Sequence, residues 1–222
     1  PATHPLDAAR AGAAFLAWTT TPWTLPANVA LAVKPGAAYA LVEYSGGEQP
    51  ERLLLGEALA NQVLGEDNYT VLAHFDGSAL RGLRYMRLFD GVPAPGESVD
   101  WEQAYRVVAD DFVSLEDGTG IVHIAPAYGD LEVGRTHGLP TLFSVDLAGV
   151  TLPAFDGLGF GQLFFKDADP LITRNLPERG LLFRRGRLLP TYPFCCRCRA
   201  PLLVHPTLSS HVRPPAPPHA PP

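Results

Sequence analysis

Apolar and β-branched residues fall into short runs bounded by turn residues: Ala13–Trp18, Val29–Val33, Tyr39–Tyr44, Arg52–Leu55, Tyr69–His74, Tyr105–Ala109 and Ile121–Ile124. Such runs are too short for helices and rich in the residues that suit a pleated, half-buried surface, so they predict strands. Helical spacing is confined to Glu57–Leu64, a short stretch beginning at Asp130, and Ala168–Arg179. In the last of these Asp167 is the candidate N-cap and Pro170 falls in the first turn, while Pro177 removes a backbone donor and should shorten or kink the end. The pattern predicts a mainly β fold with peripheral helices, α+β in class, with a barrel as the natural arrangement of so many short strands. The segment Glu116–Gly120 is a turn signal directly before the strand that carries His123, which places that histidine near a loop mouth.

The 222 residues suffice for one large domain with its own core, and 46% hydrophobic with 18% charged residues is ordinary for a folded globular chain. No internal repeat is evident. The text divides into an N-terminal linker at 1–12, a folded body at 13–190, a cysteine-bearing return segment at 191–204 and a proline-rich tail at 205–222 that reads as extended and disordered. No stretch reaches the roughly 18 consecutive apolar residues of a membrane span, and the start lacks a basic region followed by an apolar run, so a cytoplasmic location without a membrane partner is expected.

A net charge of -6 argues against a chain-wide nucleic-acid footprint, because phosphate contacts need Lys and Arg. The basic residues are nevertheless concentrated: Arg174, Arg179, Arg184, Arg185, Arg187, Arg197 and Arg199 face one acid, Glu178. Either this is a solvated edge strand protected by charge or it touches a polyanion backbone. Cys195, Cys196 and Cys198 lie within four positions, a metal or redox spacing and not a framework of distant disulfides.

Two segments carry candidate chemistry. Trp18-Thr19-Thr20-Thr21-Pro22-Trp23-Thr24-Leu25-Pro26-Ala27-Asn28 sets four hydroxyls after a strand, where they can hold a water or a carbonyl; the plainer reading is a threonine-rich β-edge. Gly118-Thr119-Gly120-Ile121-Val122-His123-Ile124-Ala125-Pro126 carries a histidine in an apolar strand, which outside a motif is more often a satisfied core residue. Together these strings resemble the editing domain of isoleucyl-tRNA synthetases. The related valyl and leucyl enzymes carry Thr-Thr-Arg-Pro where this chain has Thr-Thr-Thr-Pro-Trp. The resemblance runs from about Phe15 to Leu203, with looser matches at Phe155–Phe160, Ala168–Asn175 and Arg179–Leu182, and is that of a fragment of a longer enzyme.

The resemblance implies a β-barrel editing domain of the valyl/leucyl/isoleucyl type and a hydrolase that clears valine from the isoleucine tRNA, or valyl-adenylate, without a cofactor. Signatures resembling His-Ile-Gly-His and Lys-Met-Ser-Lys-Ser are absent, so aminoacylation is not expected. The implied partners are the mischarged tRNA, valyl-adenylate and the remainder of the synthetase; the alternative is a tRNA-binding or inactive remnant without turnover. Thr19, Thr20 and Thr21 would position water and stabilise an oxyanion, and Asp130 would bind the substrate ammonium, with Glu132 as the alternative carboxylate. His123 and Ala125 would shape the side-chain pocket. Trp23 and Tyr192 would contact the adenosine end or else pack in the core. Cys195 and Cys198 match half of the family's structural zinc site, so zinc would require a second cysteine pair from elsewhere.

Overall fold

The structure, a computed structural model, describes residues 12–93, 98–186, 194–199 and 201–203. All of the 1–12 linker but Gly12, together with Arg187, Tyr192 and the proline-rich tail, lies outside the described residues. Nine strands are described: β1 (Ala13–Phe15), β2 (Ala30–Val33), β3 (Ala38–Tyr44), β4 (Glu51–Gly56), β5 (Tyr69–Asp76), β6 (Val92–Pro93), β7 (Arg106–Ala109), β8 (Ile121–Ile124) and β9 (Leu142–Phe143). Helices α1 (Ala60–Leu64), α2 (Gly77–Leu80), α3 (Leu131–His137) and α4 (Phe165–Glu178) lie between and after them. The class is mainly β with peripheral helices, as the pattern of short runs predicts.

The strands form three sheets, ordered β1-β4-β3-β5, β7-β2-β8 and β6-β9. A closed ladder is not formed among the described residues; the larger two sheets are stitched by backbone contacts instead. Trp18, just past β1, bridges to Val122 of β8, and the N–H of Gly56 at the end of β4 donates to the carbonyl of Thr119 at 2.8 Å.

Period-two alternation explains how one strand serves two cores. On β3, Tyr39 and Leu41 pack with Leu31, Leu54 and Ile121, whereas Ala40 and Val42 pack with Leu53, Leu55 and Leu64 on the other face. On β2, Ala30 and Ala32 enter a cluster with Val108 and Ile124, while Leu31 and Val33 face the first group. Burial of each large aliphatic chain in such clusters is worth about 1.5–3 kcal/mol. On β8, His123 stands opposite Leu31 and shares a face with Ile121, so a polar ring occupies a position where the alternation calls for an apolar one.

Helix α4 begins three residues before the expected start. Phe164 occupies the N-cap without a side-chain bond and Asp167 lies in the first turn, so Asp167 is not the cap. The early start is set by packing: Phe165, Ala168, Ile172 and Leu176 are buried against Trp23, Leu25, Phe89 and Phe160. Pro170 sits inside the helix and Pro177 at its end, where the Gly180 N–H reaches the Pro177 carbonyl and the Leu181 N–H that of Leu176 at 2.9 Å. With Gly180 at φ +66, these bonds close the helix as a Schellman motif.

Candidate active site

The threonine segment is shaped by Pro22. Its ring presets φ and opens a 3-10 turn, Pro22–Ala27, in which the Thr24 N–H reaches the Thr21 carbonyl at 3.1 Å. The turn sends Trp23 and Leu25 into the core beneath α4 and Thr24 and Asn28 the other way, toward His123. Asp169 of α4 holds it from behind, its Oδ1 accepting the Trp23 N–H at 2.9 Å.

The Gly-Thr-Gly segment completes the opposite wall. Gly118 adopts φ +70, and a Cβ there would meet the Trp18 ring at 2.9 Å; Gly120 adopts φ +73, and a Cβ there would stand 2.9 Å from Leu115 and 3.1 Å from the Gly56 Cα. Glycine is required at both positions by conformation and by space. Between the two segments lies a cavity of about 300 Å³, lined by Thr19, Thr20, Thr21, Thr24, His123, Ala125 and Asp130, with Trp18, Ser114, Asp117 and Tyr128 around them. That volume is at the small end of ordinary ligand pockets.

Polar contacts order this wall. His123 Nε2 lies 2.9 Å from Thr24 Oγ1, and His123 Nδ1 lies 3.3 Å from Asn28 Nδ2. Burial holds the imidazole at a pKa of about 4, so the ring is neutral at physiological pH. The Thr24 hydroxyl donates to the Thr21 carbonyl at 2.8 Å, and Thr21 Oγ1 lies 3.3 Å from Thr24 Oγ1 and 3.4 Å from Thr19 Oγ1. Thr20 is exposed at the cavity and makes no side-chain hydrogen bond among the described residues.

Asp130 takes the N-cap position of α3, but its side chain makes no capping bond. Its Oδ2 turns back to accept the Ala125 N–H at 2.8 Å, which fixes the carboxyl beside the cavity. Burial raises its pKa, and the Ala125 N–H opposes that shift. Glu132 pairs with Arg135 at 2.9 Å on the exposed side of α3 and is not part of the cavity lining.

Trp23 takes the packing alternative. It is 4% exposed, with ring centroids 4.7 Å from Tyr128 and 4.9 Å from Phe165, and it does not line the cavity. Trp18 is the exposed indole at the site, 46% accessible. Asn28 and Tyr128 had no site role in the sequence, and Thr24 entered only as one of the four hydroxyls of its segment. For Thr24 a signal existed, since it stands three positions after Thr21 and a turn opened by proline brings such positions together.

Cys195 and Cys198 flank a tight turn in which the Arg199 N–H donates to the Cys195 carbonyl at 2.9 Å. Backbone N–H groups of Cys198 and Arg197, with the Cys198 thiol, pull the Cys195 pKa down. Among the described residues no group of three or more His, Cys, Asp or Glu converges as metal ligands. No helix among them is long and apolar enough to cross a membrane. Among the described residues the arginine-rich stretch is not an edge strand: Arg174 lies in α4, Arg179 caps its end and Arg184 and Arg185 belong to the coil after it. Arg174 meets Glu178 at 3.9 Å, and Arg179 lies over Phe89 and donates to the Leu88 carbonyl at 2.6 Å.

No protein-family model matches the chain. Over 90% of its length it is 44% identical to the isoleucine–tRNA ligase of Thermus thermophilus, and over 87% it is 41% identical to that of Pyrococcus horikoshii. The chain is homologous to the isoleucyl-tRNA synthetases. It spans 18% of the length of each of these two relatives. Among solved structures it resembles the editing domain of the P. falciparum cytosolic leucyl-tRNA synthetase, with TM-score 0.55 and 12% identity over 75% of this chain and 77% of that one. The corresponding P. knowlesi domain gives 0.54 and 10% over 76% and 83%. The fold is therefore that of an aminoacyl-tRNA synthetase editing domain.

Proposed function

We propose that the chain hydrolyses the ester linking valine to the isoleucine-accepting tRNA, and that valyl-adenylate, which presents the same acyl and ammonium groups, is the alternative substrate of the same cavity. The observation that carries this reading is the shared lining: the threonine hydroxyls and the Asp130 carboxylate open onto one small hollow walled by a neutral imidazole.

A methylene is worth only about 1–3 kcal/mol in an apolar pocket, a bound of which isoleucine against valine is itself the standard illustration, so a synthetic site needs a second, hydrolytic sieve. In this cavity Asp130 receives the substrate ammonium, because a cation taken out of water needs a charge partner. The valyl side chain lies against His123 and Ala125. A water held by the Thr19 and Thr21 hydroxyls bonds through its oxygen to the ester carbonyl carbon, and the Thr20 hydroxyl donates to the oxyanion that forms. The bond to the ribose oxygen then breaks, and that oxygen leaves with a proton from the water.

His123 does not serve as the base, since its ring nitrogens are engaged by Thr24 and Asn28. No serine or cysteine beside a base lines the cavity among the described residues, and the reaction runs on positioning and oxyanion stabilisation. The tRNA is the partner that delivers the substrate, the rest of a synthetase the one that presents it, and the cytoplasm the compartment where both meet.

Deacylation of valyl-tRNA by the wild-type chain, by Asp130→Ala and by Thr20→Ala is the test. Loss of turnover by at least tenfold in both variants is expected. Equal rates in all three remove the site, and tRNA binding without turnover by the wild type leaves a binding module in place of a hydrolase.

A further inference from the structure

The direction of the hydrogen bonds behind the cavity wall follows from two groups that can only accept. At one end the Thr24 hydroxyl spends its single proton on the Thr21 carbonyl, at 2.8 Å. Its oxygen is then an acceptor toward every other neighbour, so the His123 Nε2 at 2.9 Å carries a proton. At the other end the Asn28 Nδ2 donates to the Ala30 carbonyl at 2.9 Å. That contact fixes which amide atom is nitrogen, and the Tyr85 hydroxyl, 2.6 Å from Oδ1, donates to the remaining oxygen. The second Nδ2 proton lies between the Ile124 carbonyl at 3.4 Å and His123 Nδ1 at 3.3 Å; an amide nitrogen can meet the ring only as a donor, so Nδ1 carries no proton. Both ends impose the same neutral tautomer.

The consequence reaches the cavity. Because Thr24 Oγ1 accepts from His123 and has no proton to spare, Thr21 Oγ1 at 3.3 Å can meet it only as a donor. Thr19 Oγ1, which already accepts the Thr21 N–H at 3.1 Å, can then only donate to Thr21 Oγ1 at 3.4 Å. Its remaining lone pair is left for a group in the cavity. Thr24 itself is 4% exposed and lies behind the hydroxyls it orders.

Resting on the function proposed above, we infer that Thr24 is a positioning residue for the hydrolytic step. Held by the Nε2–H of His123, it sets the polarity of the Thr19–Thr21 hydroxyl pair, so that this pair accepts a hydrogen bond from the attacking water and orients it, while the water's proton goes to the leaving ribose oxygen. Asn28 and Tyr85 are the remote anchor of the same arrangement: Asn28 is 6% exposed, and without the Tyr85 hydroxyl its Oδ1 is left seeking a donor.

Three variants test this. Thr24→Val keeps the shape and removes the hydroxyl, Thr24→Ser keeps the hydroxyl, and Tyr85→Phe removes only the distant anchor. Two readouts are used: kcat and KM for valyl-tRNA deacylation, and the ¹⁵N resonances of the His123 ring. In the wild type Nε2 should be pyrrole-like and Nδ1 pyridine-like. Thr24→Val should lower kcat at least tenfold with KM within twofold, and Thr24→Ser should recover most of it. Tyr85→Phe should lower kcat to a smaller extent and shift the His123 resonances toward a mixture of tautomers.

A wild-type ring protonated on Nδ1 overturns the inference whatever the activity. So does a Thr24→Val enzyme with unchanged kcat, or a Thr24→Ser enzyme as impaired as Thr24→Val. If the wild type deacylates nothing, the function proposed above fails, while the ring resonances still decide whether the polarity is as inferred.

Discussion

Asp169 on α4 accepts a hydrogen bond from the backbone N–H of Trp23 at 2.9 Å, across 146 residues of sequence. A helix far along the chain thereby fixes the turn that presents the threonine hydroxyls. Burial raises the Asp169 carboxyl pKa, and the Trp23 N–H and Lys166 act against that shift. Removing the acceptor with Asp169→Ala leaves a buried donor unsatisfied, which costs about 1–3 kcal/mol. Asp169→Asn retains an acceptor oxygen at the same place. We expect urea denaturation to show the alanine variant destabilised by that amount and the asparagine variant close to wild type, with valyl-tRNA deacylation following the same order. Equal behaviour of the two variants would show that the bond does not hold the turn.

Gly120 combines φ +73 with a neighbour, the Gly56 Cα, that belongs to backbone and cannot swing aside. Gly120→Ala should therefore cost at least the roughly 1–2 kcal/mol of placing an L-residue in the left-handed region. Gly186, where a Cβ meets nothing within 4 Å and φ is not positive, is the control, and Gly186→Ala should be neutral. Urea midpoints of the two variants decide it; a neutral Gly120→Ala would mean that the Gly-Thr-Gly turn has room to adjust.

The strands were legible because their signal is local. Runs such as Tyr39–Tyr44 and Ile121–Ile124 end close to turn residues, Gly36 and Ser45-Gly46 for the first and Gly120 and Pro126 for the second, and the observed β3 and β8 match them to within a residue at either end. Helix starts were less legible where packing overrides capping: α4 begins at Phe165 because that ring enters the core, and Asp167 falls in the first turn instead of at the cap. Asp130 occupies the cap position the sequence suggested, yet its carboxylate reaches back to Ala125. Which side of the Pro22 turn each residue faces depends on α4, and so the burial of Trp23 could not be read from its neighbours. Tyr85 had no local mark at all, since its partner Asn28 lies 57 residues away.

The neutral His123 makes stability depend on pH in a defined direction. Its pKa falls from 6.5 to about 4 on folding, through burial. Between those values the unfolded chain binds a proton that the folded chain refuses, so this group's contribution is whole above pH 6.5 and is lost as the pH falls toward 4. The size is on the order of 3 kcal/mol, at 1.36 kcal/mol per pKa unit. Asp130 and Asp169 act in the opposite sense, because their carboxyl pKa values are raised. Comparison with His123→Gln at each pH cancels them. The wild type should lose stability relative to the variant as the pH is lowered from 7 to 4, followed by chemical denaturation, and parallel curves would mean that the imidazole titrates normally in the folded chain.

His123 also bounds the cavity by its bulk, and the same ring holds Thr24. Truncation with His123→Ala should thus have two separable effects. The space vacated by the imidazole admits one more methylene, so the ratio of isoleucyl-tRNA to valyl-tRNA deacylation should rise by roughly 10–200-fold, the range that a methylene commands in an apolar pocket. The rate on valyl-tRNA should fall at the same time, since Thr24 loses the donor that fixes its neighbours. Both rates are measured on the same preparation, with the two mischarged tRNAs at equal concentration. A variant that loses activity on valine while still refusing isoleucine would assign the size limit to another part of the wall, and leave His123 with the ordering of the hydroxyls alone.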